Sequence, residues 1–185
     1  YVASSLLSVA LAHVFGSALT GQSRERPELA ATPLALTARL AVVHARGGEA
    51  ILHRLFAPLG YAVTAEPHPL DAAFPAWGAS DFFTVTLTGE VRLVTLLTHL
   101  YVLLPVLDDE KHYWIGEDEV AKLLRRGEGW LAQHPERELI TRRYLRHRPL
   151  VRTALAGLAE EDAPDDAPDN AVSDERGEQP ANSDA

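Results

Sequence analysis

The sequence predicts an α+β fold, in which helices pack on a mainly antiparallel sheet and are followed by a helical segment and a disordered acidic tail. Three observations lead to this prediction. Segments with a period of two alternate with segments of helical period between residues 33 and 107. Residues 82–93 carry apolar side chains on one face and threonines on the other, as in a half-buried antiparallel strand. Hydrophobic residues make up 46% of the 185 residues, which is ample for a core.

The first segment, YVASSLLSVALAHVFGSALTG, predicts a buried helix that ends at Gly16 or Gly21. Serine and histidine residues interrupt it every few positions and it has no basic start, so we expect neither a secretory signal nor a membrane span. The sequence contains no methionine and begins at Tyr1. We therefore expect the chain to be a piece of a longer polypeptide.

The middle of the chain predicts the sheet and two helices. Residues 33–43 alternate and end in β-branched side chains, which favours a strand. Residues 47–60 have apolar side chains at helical spacing and end at Gly60, so they predict a helix. Residues 61–67 and 82–93 predict strands, with a loop rich in proline, alanine and glycine between them. Residues 94–107 predict a mostly apolar helix.

Two short helices are predicted next, over residues 116–129 and 134–147. Each has acidic residues at its start and basic residues at its end, which complements the helix dipole. Residues 160–185 then contain ten acidic residues and one arginine, with few apolar side chains. Since the whole chain has 26 acidic and 17 basic residues, residues 1–159 are neutral, with 16 of each. We expect the tail, residues 159–185, to be a disordered linker.

Sequence motifs exclude several classes of enzyme. We find no glycine-rich dinucleotide motif, no phosphate-binding loop, no nucleophile elbow and no H-E-x-x-H zinc motif. The chain has no cysteine, which excludes disulfides and thiolate metal sites and fits a cytoplasmic protein. The scattered histidines favour structural roles over metal binding.

The most conspicuous cluster is PVLDDEKHYWIGEDEV, residues 105–120. One alternative is a magnesium or manganese site with Asp108, Asp109, Glu110 and His112 as ligands. The favoured alternative is a contact surface for a protein partner, because aromatic residues beside charges are typical of interfaces. The candidate partner interface consists of Lys111, His112, Tyr113 and Trp114.

A second candidate surface is the basic helix predicted over residues 137–152, RELITRRYLRHRPLVR. Its arginines could bind phosphates and its aromatic side chains could stack on a base. The alternative is a solvated helix whose arginines pair with nearby acids or with the acidic tail, and the sequence leaves both open. The candidate RNA-contacting residues are Arg142, Arg143, Tyr144, Arg146 and His147.

Four segments carry a resemblance to a known family: YVASSLLSVALAHVFG, RERPELAATPL (24–34), RGGEAILHRLFAPLGY (46–61) and, most specifically, residues 99–147. Together they resemble the amino-terminal region of the bacterial HEN-type RNA 3′-terminal ribose 2′-O-methyltransferase. The resemblance covers residues 1–158. It implies a region that docks on the bacterial polynucleotide kinase-phosphatase and ligase (Pnkp) and activates its RNA ligase during RNA repair.

The same resemblance implies what this chain lacks. In the family, S-adenosylmethionine and a divalent metal serve a methyltransferase domain that follows this region, and the motifs of that domain do not occur here. We therefore expect a non-catalytic fragment without a cofactor, at work in a hetero-oligomer with Pnkp and with RNA as an alternative partner. The natural start of the region is expected to be missing as well.

Overall fold

The computed structural model of the protein describes residues 2–109 and 117–162. These residues form seven α-helices and one three-stranded antiparallel sheet, so the predicted α+β class is confirmed. The strands are β1 (Leu34–His44), β2 (Ala62–Pro69) and β3 (Ala79–Val91). The helices are α1 (Val2–Val14), α2 (Pro27–Ala31), α3 (Gly48–Phe56), α4 (Leu93–Asp108), α5 (Glu117–Gly127), α6 (Arg137–Leu145) and α7 (Arg148–Glu161).

The sheet has the strand order β1-β3-β2, with β3 in the centre. Phe83, Val85 and Leu87 of β3 are buried on one face, as their alternation predicts. Strand β2 carries Pro67 and Pro69, which an edge strand tolerates because one side of its backbone needs no ladder partner. The register of β1 and β3 runs from the pair of residues 34 and 91 to the pair of residues 44 and 82, so β3 spans the whole sheet.

Helix α4 is the centre of the hydrophobic core. From residue 96 to residue 108 only positions 98 and 101 are not buried, because the helix contacts β1 and five other helical elements. This explains why its sequence is apolar nearly all round rather than on one stripe. Helix α3 adds Ile51, Leu52, Leu55 and Phe56 to the same core and passes through a 3-10 turn, residues 57–59, to Gly60 at φ 88°.

The prediction of one basic helix over residues 137–152 is wrong. The segment divides into α6 and α7, because Arg146 adopts φ 56° and His147 is extended ahead of Pro149. Proline suits the first turn of a new helix, and Pro149 is the second residue of α7. Helix α7 then runs to Glu161, past the predicted boundary at residue 158. Residues 163–185 of the predicted tail lie outside the described residues.

Three short helical elements were not predicted: α2 and the 3-10 turns over residues 18–20 and 75–77. Helix α2 begins at Pro27 and is only five residues long, too short for a periodic pattern to show. A 3-10 turn, residues 18–20, follows α1 and ends at Gly21, which has φ 69°. Leu19 of this turn is buried against the core, so the turn fixes the chain beside the start of α4.

Candidate functional site

The four residues of the predicted partner interface, Lys111, His112, Tyr113 and Trp114, lie outside the described residues. The helix before them ends at Asp108 and Asp109, two of the four alternative metal ligands. Oδ1 of Asp108 is 2.9 Å from Nδ1 of His44, and Oδ1 of Asp109 accepts a hydrogen bond of 3.0 Å from Arg146. Over residues 2–109 and 117–162 we find no group of three or more potential ligands that could hold a metal ion.

The five predicted RNA-contacting residues lie at different depths. Tyr144 is 2% exposed, so a base reaches its ring only if neighbouring side chains move. The side chain of Arg143 is 18% exposed and lies along the body of the protein. Arg142, Arg146 and His147 are exposed. RNA contact by these five residues stays a prediction, and the structure does not bring all of them to one surface.

Arg143 links the end of α4 to the turn after β1 through hydrogen bonds. Its guanidinium donates two hydrogen bonds of 3.1 Å to the carbonyl oxygen of Arg46 and one of 3.2 Å to that of Val106. The carboxylate of Asp109 lies 3.7 Å from Nε of Arg143. Because Asp109 has φ 50° and ends α4, this contact also stabilises the left-handed turn that terminates the helix. Arg143 therefore has a structural partner for most of its donors.

The loop between β2 and β3, residues 70–78, exposes three large apolar side chains. Leu70, Phe74 and Trp77 are 61%, 53% and 61% exposed. The rings of Phe74 and Trp77 stack with centroids 4.7 Å apart and planes at 14°. We call these three side chains the hairpin tip. Single exposed apolar residues are normal on a protein surface, whereas contiguous exposed apolar patches mark interaction sites. The hairpin tip is therefore a candidate contact site.

Hydrogen bonds within the loop hold the hairpin tip in place. The backbone N–H of Leu70 donates to the carbonyl of Gly78 at 3.0 Å, and that of Trp77 donates to the carbonyl of Phe74 at 3.0 Å. The carboxylate of Asp71 accepts a hydrogen bond of 2.7 Å from the N–H of Ala73. The aromatic pair is thus presented by an ordered loop, and little conformational entropy would be lost on binding.

A cleft of about 970 Å³ opens at the other end of the sheet, beside the start of α4. Its walls come from the 3-10 turns over residues 18–20 and 57–59, the end of α5 and the segment after α5. The lining combines apolar, hydroxyl, histidine and arginine side chains. It includes Leu19, Thr20, Pro58, Leu59, Arg92, Val94, Thr95, Thr98, His99, Arg125, Arg126, Glu128, Trp130, Gln133 and His134.

Two buried histidines line this cleft on either side of Trp130. The ring centroid of Trp130 lies 4.8 Å from that of His99 and 6.0 Å from that of His134, both edge to face. Nδ1 of His99 is 2.9 Å from the hydroxyl of Tyr61. Burial lowers the pKa of His99 to about 4, with a smaller contribution from His134, whose own pKa burial also lowers. Both rings are therefore neutral at pH 7.

The sequence reasoning missed the hairpin tip and the cleft for different reasons. The loop over residues 70–78 was described only by its proline, alanine and glycine content, although FPAW at 74–77 places two aromatics in it. The cleft has no local signal, because its walls come from segments as far apart as Leu19 and His134.

Among the described residues, no helix combines the length and the apolarity that crossing a membrane requires.

Comparison with known proteins identifies the family. A search of the curated proteins finds no significant match. The family model described as the RNA repair, ligase-Pnkp-associating, region of Hen1 matches residues 1–159, which is most of the chain. The chain therefore belongs to the family of ligase-Pnkp-associating regions of Hen1 in RNA repair.

Proposed function

We propose that this chain is a protein-binding module that docks on the RNA ligase of Pnkp and raises its activity, and that the hairpin tip is its main point of contact. The observation that carries the proposal is the exposed, stacked pair of Phe74 and Trp77 on an ordered loop. Tryptophan and other aromatic residues dominate the binding energy of many protein interfaces. The family description supplies the partner, since it names association with the ligase and Pnkp.

Residues beside the base of the hairpin extend the apolar surface. Phe82 of β3 is 44% exposed, and Val42 of β1 is 61% exposed. The ring of Phe82 lies 5.0 Å from that of His44, which in turn contacts Asp108 at the end of α4. In the sequence, Lys111 comes two positions after Asp109. We propose that the hairpin tip and the segment from Lys111 to Trp114 serve one docking surface.

The proposal is tested by co-purification of the chain with Pnkp and by measurement of ligase adenylylation. The variant is the double substitution Phe74→Ala with Trp77→Ala. The matched control is Leu29→Ala, an apolar side chain that is 47% exposed and belongs to α2, at the opposite end of the sheet. We expect the double variant to lose at least about tenfold in affinity, which corresponds to about 1.4 kcal/mol. We expect the control to bind and activate as the parent chain does.

Three results would decide against parts of the proposal. If neither the parent chain nor the control binds Pnkp, docking itself is wrong. If the double variant binds as tightly as the control, the hairpin tip is not the contact and the segment from Lys111 to Trp114 becomes the first alternative. If binding is intact but adenylylation does not rise, the chain associates with the ligase without activating it.

RNA binding remains the alternative function, and exposed arginines on α6 and α7 support it. Arg142, Arg148 and Arg152 are exposed, and Arg142 lies 4.0 Å from Glu138, a distance at which an ion pair is weak. We also propose that methyl transfer, with its S-adenosylmethionine and divalent metal, belongs to a separate domain of the parent protein. Residues 2–109 and 117–162 contain no cluster that fits such a metal.

A further inference from the structure

The cleft beside the start of α4 has the composition of a binding site for a phosphate-bearing ligand. Arg92, Arg125 and Arg126 line it, against a single acidic residue, Glu128. Arg92 and Arg125 form no ion pair with any residue that the structure describes. An excess of two positive charges therefore remains in the cleft. Arginine recognises phosphate well because its planar guanidinium can donate two parallel hydrogen bonds to one group.

The start of α4 adds backbone donors to these arginines. Arg92 is the residue before the helix, and no side chain of the described residues caps the helix there. The first N–H groups of a helix have no partner within it, and the helix dipole places partial positive charge at that end. Val94, Thr95 and Thr98 of the first turns line the cleft, so this end of the helix belongs to it. The two threonines can supply hydroxyl donors.

Deep in the cleft lies a buried polar atom without a partner. His99 is 3% exposed, and its Nε2 makes no hydrogen bond with any of the described residues. The hydroxyl of Tyr61 lies 2.9 Å from Nδ1 of His99. We assign the hydroxyl as the donor, because this nitrogen is its hydrogen-bond partner among the described residues, and the proton of the neutral ring is then on Nε2. A buried N–H group without an acceptor costs about 1–3 kcal/mol. An acceptor supplied by a ligand would remove that cost once the side chains that cover Nε2 move aside.

The apolar walls of the cleft distinguish its ligand from a bare anion. Pro58, Leu59 and Val94 provide apolar lining, and Trp130 is only half-buried beside them. Small-molecule sites are mostly apolar with a few well-placed polar groups, and they enclose about 300–1,000 Å³. Apolar walls next to arginines match a ligand with a flat base and a phosphate group. Inorganic phosphate has no apolar surface that could pack against these walls.

We propose that this cleft binds a nucleotide, with its phosphate at Arg92, Arg125 and the start of α4 and its base against the apolar walls near Trp130. The nucleotide is either unattached or part of an RNA strand, since the chemistry is the same in both. This proposal is independent of docking on the ligase, because the hairpin tip and the cleft lie at opposite ends of β3.

Calorimetric titration of the full chain tests the proposal with four probes: adenosine monophosphate, adenosine, inorganic phosphate and a short oligoribonucleotide with a terminal phosphate. We expect adenosine monophosphate or the oligonucleotide to bind at least about tenfold more tightly than adenosine or phosphate alone. A preference of about tenfold for the oligonucleotide would identify RNA as the source of the phosphate. Equal affinity for adenosine monophosphate and for the oligonucleotide would identify the unattached nucleotide as the ligand.

A pair of double variants makes the test specific to the cleft. Arg92→Gln with Arg125→Gln should weaken nucleotide binding at least about tenfold. Arg39→Gln with Arg46→Gln removes the same charge from exposed positions that do not line the cleft, and it should leave the affinity unchanged. Thermal unfolding of both variants verifies that they fold.

Three outcomes would overturn the proposal. The first is that no nucleotide binds at concentrations up to about 1 mM. The second is that adenosine binds as tightly as adenosine monophosphate. The third is that both double variants lose affinity equally.

Discussion

Replacing Arg143 by alanine tests whether this arginine is a structural residue or an RNA contact. The side chain donates three hydrogen bonds, of 3.1, 3.1 and 3.2 Å, to the carbonyl oxygens of Arg46 and Val106. It also lies 3.7 Å from the carboxylate of Asp109. The side chain of the neighbouring Arg142 is 67% exposed, and its ion-pair partner among the described residues is Glu138, at 4.0 Å. The two arginines thus form a matched pair, adjacent in sequence and opposite in environment.

The expected loss of stability follows from these contacts. A hydrogen bond that involves a charged group contributes about 1.5–3 kcal/mol, and a buried carbonyl left without its donor is costly in itself. Water can replace part of the lost donors because the side chain of Arg143 is 18% exposed. We therefore expect Arg143→Ala to lower the free energy of unfolding by about 2–3 kcal/mol. Arg142→Ala should change it by less than about 0.5 kcal/mol.

Thermal and denaturant unfolding of the two variants provide the measurement. A loss of 2–3 kcal/mol corresponds to a decrease in Tm of about 5–10 °C for a domain of this size. Arg143→Lys should give an intermediate loss, because a single ammonium group cannot span two carbonyls as a guanidinium does. The reasoning is refuted if Arg143→Ala keeps its stability but loses RNA affinity. Equal destabilisation by Arg142→Ala would refute it as well.

Two further predictions concern the core. Because burial lowers the pKa of His99 to about 4 while an unfolded histidine titrates near 6.5, the unfolded chain binds more protons between these values, and stability falls as the pH falls. We expect the free energy of unfolding to fall by about 2–3 kcal/mol from pH 7 to 4.5 through this histidine, a contribution that is absent in His99→Gln. If denaturant titrations give the parent chain and His99→Gln the same change in unfolding free energy with pH, this prediction is contradicted. A Cβ at Gly127 would lie 2.8 Å from Cβ of Leu131, so Gly127→Ala should cost about 1–3 kcal/mol. Gly157→Ala, 3.3 Å from a terminal methyl of Leu124, should cost less than about 1 kcal/mol in the same unfolding assay.

Much of the fold could be predicted because local patterns coincide with tertiary burial. The alternation in β3 places Phe83, Val85 and Leu87 on the covered face, where the structure buries them. The helical spacing in α3 likewise predicted a helix that ends at Gly60, which the structure gives φ 88°. In both elements one face meets the core and the other meets water, so the sequence period records the geometry.

The break between α6 and α7 could not be predicted from the period alone. Residues 137–152 have the composition of one basic helix, and helical charge patterns continue on both sides of the break. The decisive residues are Arg146, which takes φ 56°, and Pro149, which lies in the first turn of α7. A positive φ at arginine has no sequence signal, whereas the proline was an available signal for a new helix start.

The candidate sites illustrate a second limit. Charge and aromatic content drew attention to Arg143 and Tyr144, but burial depends on which elements pack against α6. Tyr144 is only 2% exposed, and Arg143 donates to the carbonyl of Val106 in α4. Conversely, Phe74 and Trp77 stand in a loop, where no periodicity marks a residue as exposed or buried. Exposure of single side chains is a property of the packed molecule, and sequence patterns report it only within regular elements.

The position of β3 makes the two proposed sites separable. The strand runs from Ala79, next to the hairpin tip, to Val91, one residue before Arg92 of the cleft. Thirteen residues of strand extend for about 40 Å, at roughly 3.3 Å per residue, and no side chain belongs to both sites. Substitutions that far apart usually act additively. Loss of ligase association in the hairpin variant with intact nucleotide binding, or the reverse in the arginine variant, therefore assigns each failure to its own site.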